Sequence, residues 1–170
     1  MTENSRLPGT EGYLKVASVY GVFMMSWAVM EGVIQAGIRK ELGISAIKTV
    51  IITGKMQFNP RAQLLIGLLK LHGDKHKEAI TLLNKIEGFA KRNSIVHGMV
   101  GMTRDGKVSF SKYDGGASTV HIFNRDDIAH LATGIAERTI RLRDLLELTD
   151  QDSQEISNAT VDFARSLKKE

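Results

Sequence analysis

Met1–Thr10 is polar, carries Pro8 and Gly9, and is expected as a loose tail. From Tyr13 to about Glu41 apolar residues then recur at steps of three and four. Val16, Tyr20, Phe23, Trp27, Met30, Ile34 and Ile38 form one stripe and predict a single long helix. A second stripe on that helix is small: Ala17, Gly21, Ala28, Gly32 and Ala36. Each glycine inside a helix costs about 1 kcal/mol against alanine. The small stripe therefore predicts close approach of another helix, from the same chain or from a second copy. Gly43 breaks the pattern, Ser45 is placed to cap a short helix from Ala46 to about Ile52, and Gly54 breaks it again. Asn59–Pro60 signals a new start, with Asn as the cap and Pro at the first helical position. The helix after it carries Leu64, Leu65, Leu68 and Leu69 and stops near His72–Gly73. Asp74 is expected to cap a further helix running to Val96 or His97, with Ala79, Leu82, Leu83, Ile86, Phe89 and Ala90 on its apolar face.

At Gly98 the period changes. Val108, Phe110 and Lys112 alternate with Lys107, Ser109 and Ser111 as a short strand does. Tyr113-Asp114-Gly115-Gly116 is a turn signal. Val120 and Ile122 mark a second strand, with His121 and Phe123 on its other face. A two-stranded hairpin over 108–123 follows, marginal alone and so leaning on the helices. Asn124 is the expected N-cap of a helix to about Leu148, with Asp126 and Asp127 in its first turn and Ile128, Leu131, Ile135, Thr139, Leu142 and Leu146 buried. Glu137, Arg138, Arg141 and Asp144 form its expected solvated face. Beyond Thr149 the chain is polar, with a short weak helix over Val161–Leu167. The fold class is thus mainly α, a helical bundle with a small two-stranded β-hairpin before its last long helix. The organisation reads as a tail (1–12), a helical domain (13–148) and a C-terminal tail (149–170).

Size and composition fit this plan: 170 residues, 42% apolar and 25% charged, enough for a real core in a soluble chain. The absence of cysteine removes disulfides, thiolate catalysis and Cys-based metal sites, and fits a cytoplasmic setting. The uncharged run Val16–Met30 is about 15 residues, short of the roughly 20 that span a bilayer, so no membrane is expected. A net charge of +4 is compatible with nucleic acid but carries little weight alone. His72 and His76 have i,i+4 spacing, yet Gly73–Asp74 between them reads as a helix junction, and no metal or cofactor is expected. Lys70, His72, Lys75, His76 and Lys77 read as a solvated basic cluster.

The candidate chemistry lies in Ala90-Lys91-Arg92-Asn93-Ser94-Ile95-Val96-His97-Gly98. On a helix Asn93 and His97 stand one above the other, and Arg92 lies roughly 100° away around the axis. Asn93 and His97 also continue the apolar face, so they are either buried with partners or lining a cleft. Glycine ends helices cheaply, and a helix C-terminus favours a protonated ring at His97. RNA cleavage needs a base for the 2′-hydroxyl, an acid for the 5′-oxygen and positive charge on the phosphate. Histidine serves either proton transfer near neutrality, and arginine holds phosphate oxygens with two donors. Asn93 can orient the ring or contact the phosphate. One histidine does not comfortably work on both sides of one phosphorus, which predicts a homodimer with a shared cleft. Arg125 and His130 repeat the spacing as a decoy, beside two aspartates. Glu31, a charge directly after an uncharged run, is a secondary candidate for the same cleft, or pairs with a lysine. The competing view gives Arg92, Asn93 and His97 only structural duty at a helix end.

A long first helix with Trp27 and Glu31, a Leu-rich middle helix and a long helix ending Arg-Asn-x-x-x-His-Gly resemble the HEPN superfamily of all-α domains. The resemblance covers about Tyr13–Leu148, by helix order more than residue identity, and the hairpin lies outside it. It implies Arg92 and His97 as catalytic residues, Asn93 with Arg92 on RNA or phosphate, and a metal-independent, dimeric ribonuclease without cofactor. Other members of that superfamily are inactive and serve as binding modules. The alternative is therefore a silent helical module that binds a protein partner, a nucleotide or RNA. A toxin-like role with an antitoxin-like protein partner is also admitted by the resemblance.

Overall fold

The computed structural model describes residues 10–90, 95–96, 98–103, 107–114 and 117–168. The first apolar stripe makes one helix, α1 (Thr10–Leu42), as expected. Phe23, Trp27, Met30, Ile34 and Ile38 on it are at most 2% exposed and form the centre of the core. The helices α2 (Ala46–Thr53), α3 (Phe58–Lys70), α4 (Lys77–Ala90), α5 (Arg125–Leu145) and α6 (Asp150–Ser166) follow. α1 packs chiefly along α5, and α3 and α6 lie against other sides of it. By length and composition the Val16–Leu42 part of α1 is apolar enough to cross a membrane, but its inward face is the bundle core.

Three helix boundaries differ from expectation. α3 starts at Phe58, with Gln57 as its N-cap, so Asn59 and Pro60 lie inside its first turn. Burial decides this: Phe58 is 3% exposed and its ring sits 4.5 Å from that of Trp27. Pro60 is tolerated because first-turn N–H groups have no helical partner anyway. The stretch expected to run from Asp74 as one helix is broken by a 3₁₀ turn, Gly73–His76, before α4 begins. The polar segment after Thr149 is helical from its start. Thr149 and Asp152 form a capping box, with the Thr149 N–H donating to Asp152 Oδ2 at 2.8 Å. Ile156 and Ala159 supply its buried stripe. The cap expected at Asn124 is present: Asp127 N–H donates to Asn124 Oδ1 at 2.7 Å, and Asn124 N–H to Asp127 Oδ2 at 2.8 Å.

The β element is larger than a hairpin. β1 (Met99–Met102), β2 (Val108–Asp114) and β3 (Ala117–Phe123) form an antiparallel sheet in the order β1-β2-β3. β2 and β3 pair over the expected 108–123 span, with Val108 opposite Phe123 and Phe110 opposite His121. β1 adds a third strand, with Met99 opposite Ser111. Val108, Phe110 and Phe123 turn inward, and Phe110 stacks on Tyr20 of α1 at 6.1 Å. Val120 and Ile122 face outward, as a half-buried sheet requires.

Candidate functional site

Arg92, Asn93 and His97 lie outside the described residues. Of their described sequence neighbours, Ala90, the last residue of α4, and Ile95 are fully buried, whereas Val96 and Gly98 on either side of His97 are half-buried. The last turn of α4 is located by α5. Arg138 lies 3.6 Å over the Phe89 ring and donates from Nη1 to the Gly134 carbonyl at 3.0 Å. A Cβ at Gly134 would stand 2.8 Å from Phe89 Cε1 and closer still to Cζ. Glycine is therefore what lets α4 and α5 approach here. Arg138, expected on a solvated face, instead covers Phe89.

Glu31 is described, and its partner is an arginine rather than a lysine. Its Oε1 accepts from Trp27 Nε1 at 2.9 Å, and its Oε2 accepts from Arg61 Nη1 at 3.2 Å. Arg61 Nη2 also donates to the Met56 carbonyl at 2.8 Å and the Thr53 carbonyl at 3.3 Å. Next on α1, Gln35 Nε2 donates to Thr53 Oγ1 at 2.8 Å, and that hydroxyl donates to the Thr49 carbonyl at 2.8 Å. One polar network thus joins α1, the end of α2 and the start of α3. The Arg61 side chain is 9% exposed and that of Glu31 26%. Arg61 Nε is buried with no acceptor among the described residues.

This network floors a cleft of about 470 Å³ between α1, α3 and α6, where Glu31, Gln35 and Arg61 face Ser153, Ser157 and Thr160. Both Glu31 oxygens accept hydrogen bonds from buried donors, so its role there is to anchor helices and to present a neutralised pair. Sequence alone does not single out Arg61. Its signal is positional: it lies four residues before buried Leu65, on the inward face of α3.

The other candidates separate. His76 is 8% exposed, and His72 contacts Glu41 at 2.6 Å, so the basic cluster around them is only partly solvated. Arg125 and His130 of the decoy are both exposed. Among the described residues no group of three or more His, Asp or Glu side chains is arranged to hold a metal ion. At the other end of α1, Arg39 pairs with Asp152 at 3.3 Å and with Glu155 at 2.5 Å, fixing the start of α6. Hydrogen bonds from Thr149, helped by the charges of Arg39 and Lys40, hold the Asp152 carboxyl below its ordinary value of 3.8.

Compared with protein-family models, curated proteins and solved structures, the chain matches none.

Proposed function

We propose that the chain is a metal-independent endoribonuclease of the HEPN type that cleaves single-stranded RNA. Arg92 and His97 carry the chemistry and Asn93 assists. The order Arg92-Asn93-x-x-x-His97-Gly98, directly after an amphipathic helix, carries this reading. The mainly helical bundle is compatible with it. In the reaction the 2′-oxygen forms a bond to phosphorus and the P–O5′ bond breaks. A base takes the 2′-hydroxyl proton, an acid gives one to the departing 5′-oxygen, and Arg92 neutralises charge on the phosphate. Two copies supply two histidines, one for each proton transfer. The setting is cytoplasmic, and RNA is the partner. The test is cleavage of a single-stranded RNA in the presence of chelator by the wild type and by His97→Ala. Wild type should cut and the variant should not, with equal thermal stability.

The inactive module that binds a protein partner is the second reading. The exposed apolar face of α1, with Met25 at 71% exposure, favours it. A chain that cuts no RNA under any tested condition would select this reading.

A further inference from the structure

The β-sheet has no part in the ribonuclease reading, and its order β1-β2-β3 leaves β1 and β3 as edges. On the outer edge of β3, alternate residues point N–H and C=O groups away from β2, with no described strand to receive them. Proteins guard such edges by making the strand short, by placing charge, proline or a bulge on it, or by laying a helix over it. β1 is guarded by its length of four residues. Among the described residues β3 has none of these protections. It runs seven residues, Ala117–Phe123, without charge, proline or glycine. It pairs with β2 residue for residue at every position, so no bulge bends it away. α5 starts just beyond its end, after Asn124, and packs chiefly on α1 and α4. The outward face of the strand is apolar as well. Val120 and Ile122 are each more than half exposed, and Met99 stands in the same row across the sheet as Ser111 and Val120. On the other face Thr119 is exposed and His121 half-buried.

We propose that the outer edge of β3 receives an extended segment of a partner protein as a fourth, antiparallel strand. The backbone decides the kind of partner, since a row of alternating donors and acceptors is met in full only by another strand. The side chains decide its sequence. Residues of the segment beside Val120 and Ile122 are apolar, and those beside Thr119 and His121 are polar or acidic, because side chains alternate between the two faces. A carboxylate suits a position beside an imidazole, on a chain of net charge +4. A second copy fits less well. Two β3 strands pair over their whole length only about a two-fold axis at Val120, which sets each Ile122 against a Ser118. The proposal goes beyond the ribonuclease reading, and its test needs no RNA.

The probe is the peptide acetyl-Glu-Val-Glu-Val-Glu-Val-Glu-amide, which is as long as β3. Added to the full chain up to about 1 mM, it should bind saturably and slow amide exchange in β3 but not in α6. Two analogues carry N-methyl groups, one on the valines and one on the glutamates. In an extended peptide these two sets of N–H groups point to opposite sides. One analogue should therefore bind like the parent, and the other, whose methyls meet β3, at least ~10-fold more weakly. Ile122→Glu should also weaken the parent peptide at least ~10-fold, by replacing an apolar neighbour with a like charge. Ile122 is more than half exposed, so this variant should keep wild-type helicity. Unprotected β3 amides at the highest peptide concentration, equal binding of the two analogues, or undiminished binding to Ile122→Glu would each overturn the proposal. Protection of β3 in the chain alone, growing with its concentration, would assign the edge to a second copy and overturn it too.

Discussion

Replacing Arg61 by methionine removes the cation from the polar network while keeping a side chain of similar length. Three hydrogen bonds are lost, to Glu31 Oε2 and to the carbonyls of Thr53 and Met56. Hydrogen bonds to a charged group contribute about 1.5–3 kcal/mol each but do not add fully. Removing one member of a buried pair costs about 3–5 kcal/mol because the other charge is stranded. Glu31 keeps 26% of its side chain accessible, so water recovers part of that cost. The expected loss is about 3 kcal/mol, by these two bounds. For a chain of this size that lowers Tm by roughly 6–12 °C. Glu31→Gln leaves one acceptor oxygen where the carboxylate has two, so the Trp27 or the Arg61 bond is lost along with the charge, and it should cost about 1.5–3 kcal/mol. In the double variant the costs should fall short of the sum by about 1–3 kcal/mol. Urea and thermal unfolding, followed by two probes, measure all three. A loss below about 1 kcal/mol for Arg61→Met, or a coupling within ~0.5 kcal/mol of zero, would refute the network as a structural joint.

Gly134→Ala gains about 1 kcal/mol of helix propensity but drives a Cβ to within 2.8 Å of the Phe89 ring. Overpacking costs about 1–3 kcal/mol, so calorimetry should show net destabilisation, and loss of the Arg138–Phe89 contact should appear as a shifted Phe89 ring resonance. The folded Asp152 carboxyl titrates below its ordinary value, so its stabilisation is present above about pH 4 and is lost as pH falls through the lowered value. The Tm difference between wild type and Asp152→Asn should therefore be present at pH 6 and shrink as pH falls below about 4. Phe110→Ala, emptying a site 1% exposed between Tyr20 and Phe123, should cost about 3–5 kcal/mol in unfolding experiments.

What the sequence discloses follows how each element is stabilised. α1 and α5 are amphipathic over many turns, and their buried stripes are readable residue by residue down to Thr139 and Leu142. The cap at Asn124 is readable because it depends on chemistry within four residues. β1 is not, since Met99–Met102 is short, its Met99 and Val100 are exposed, and only pairing with β2 makes it a strand. The start of α3 is misread because a tertiary contact, Phe58 on Trp27, outweighs the local Asn–Pro signal. The helicity of Asp150–Ser157 is hidden by its polarity, although Thr149-x-x-Asp152 is a capping-box pattern. For Glu31 the sequence shows an anomaly but not its partner, because Arg61 is 30 residues away and meets it only in the fold. The small stripe on α1 admits two sources for a partner helix, and a Cβ at Gly21 or Gly32 would meet nothing within 4 Å among the described residues.

The claim that Arg92 and His97 cleave RNA through its own 2′-hydroxyl is tested most directly by mass spectrometry of products formed from single-stranded RNA in chelator. The wild type should leave 2′,3′-cyclic phosphate and 5′-hydroxyl ends, and His97→Ala should leave the RNA intact. Products ending in 5′-phosphate, or undiminished cutting by the variant, would contradict it.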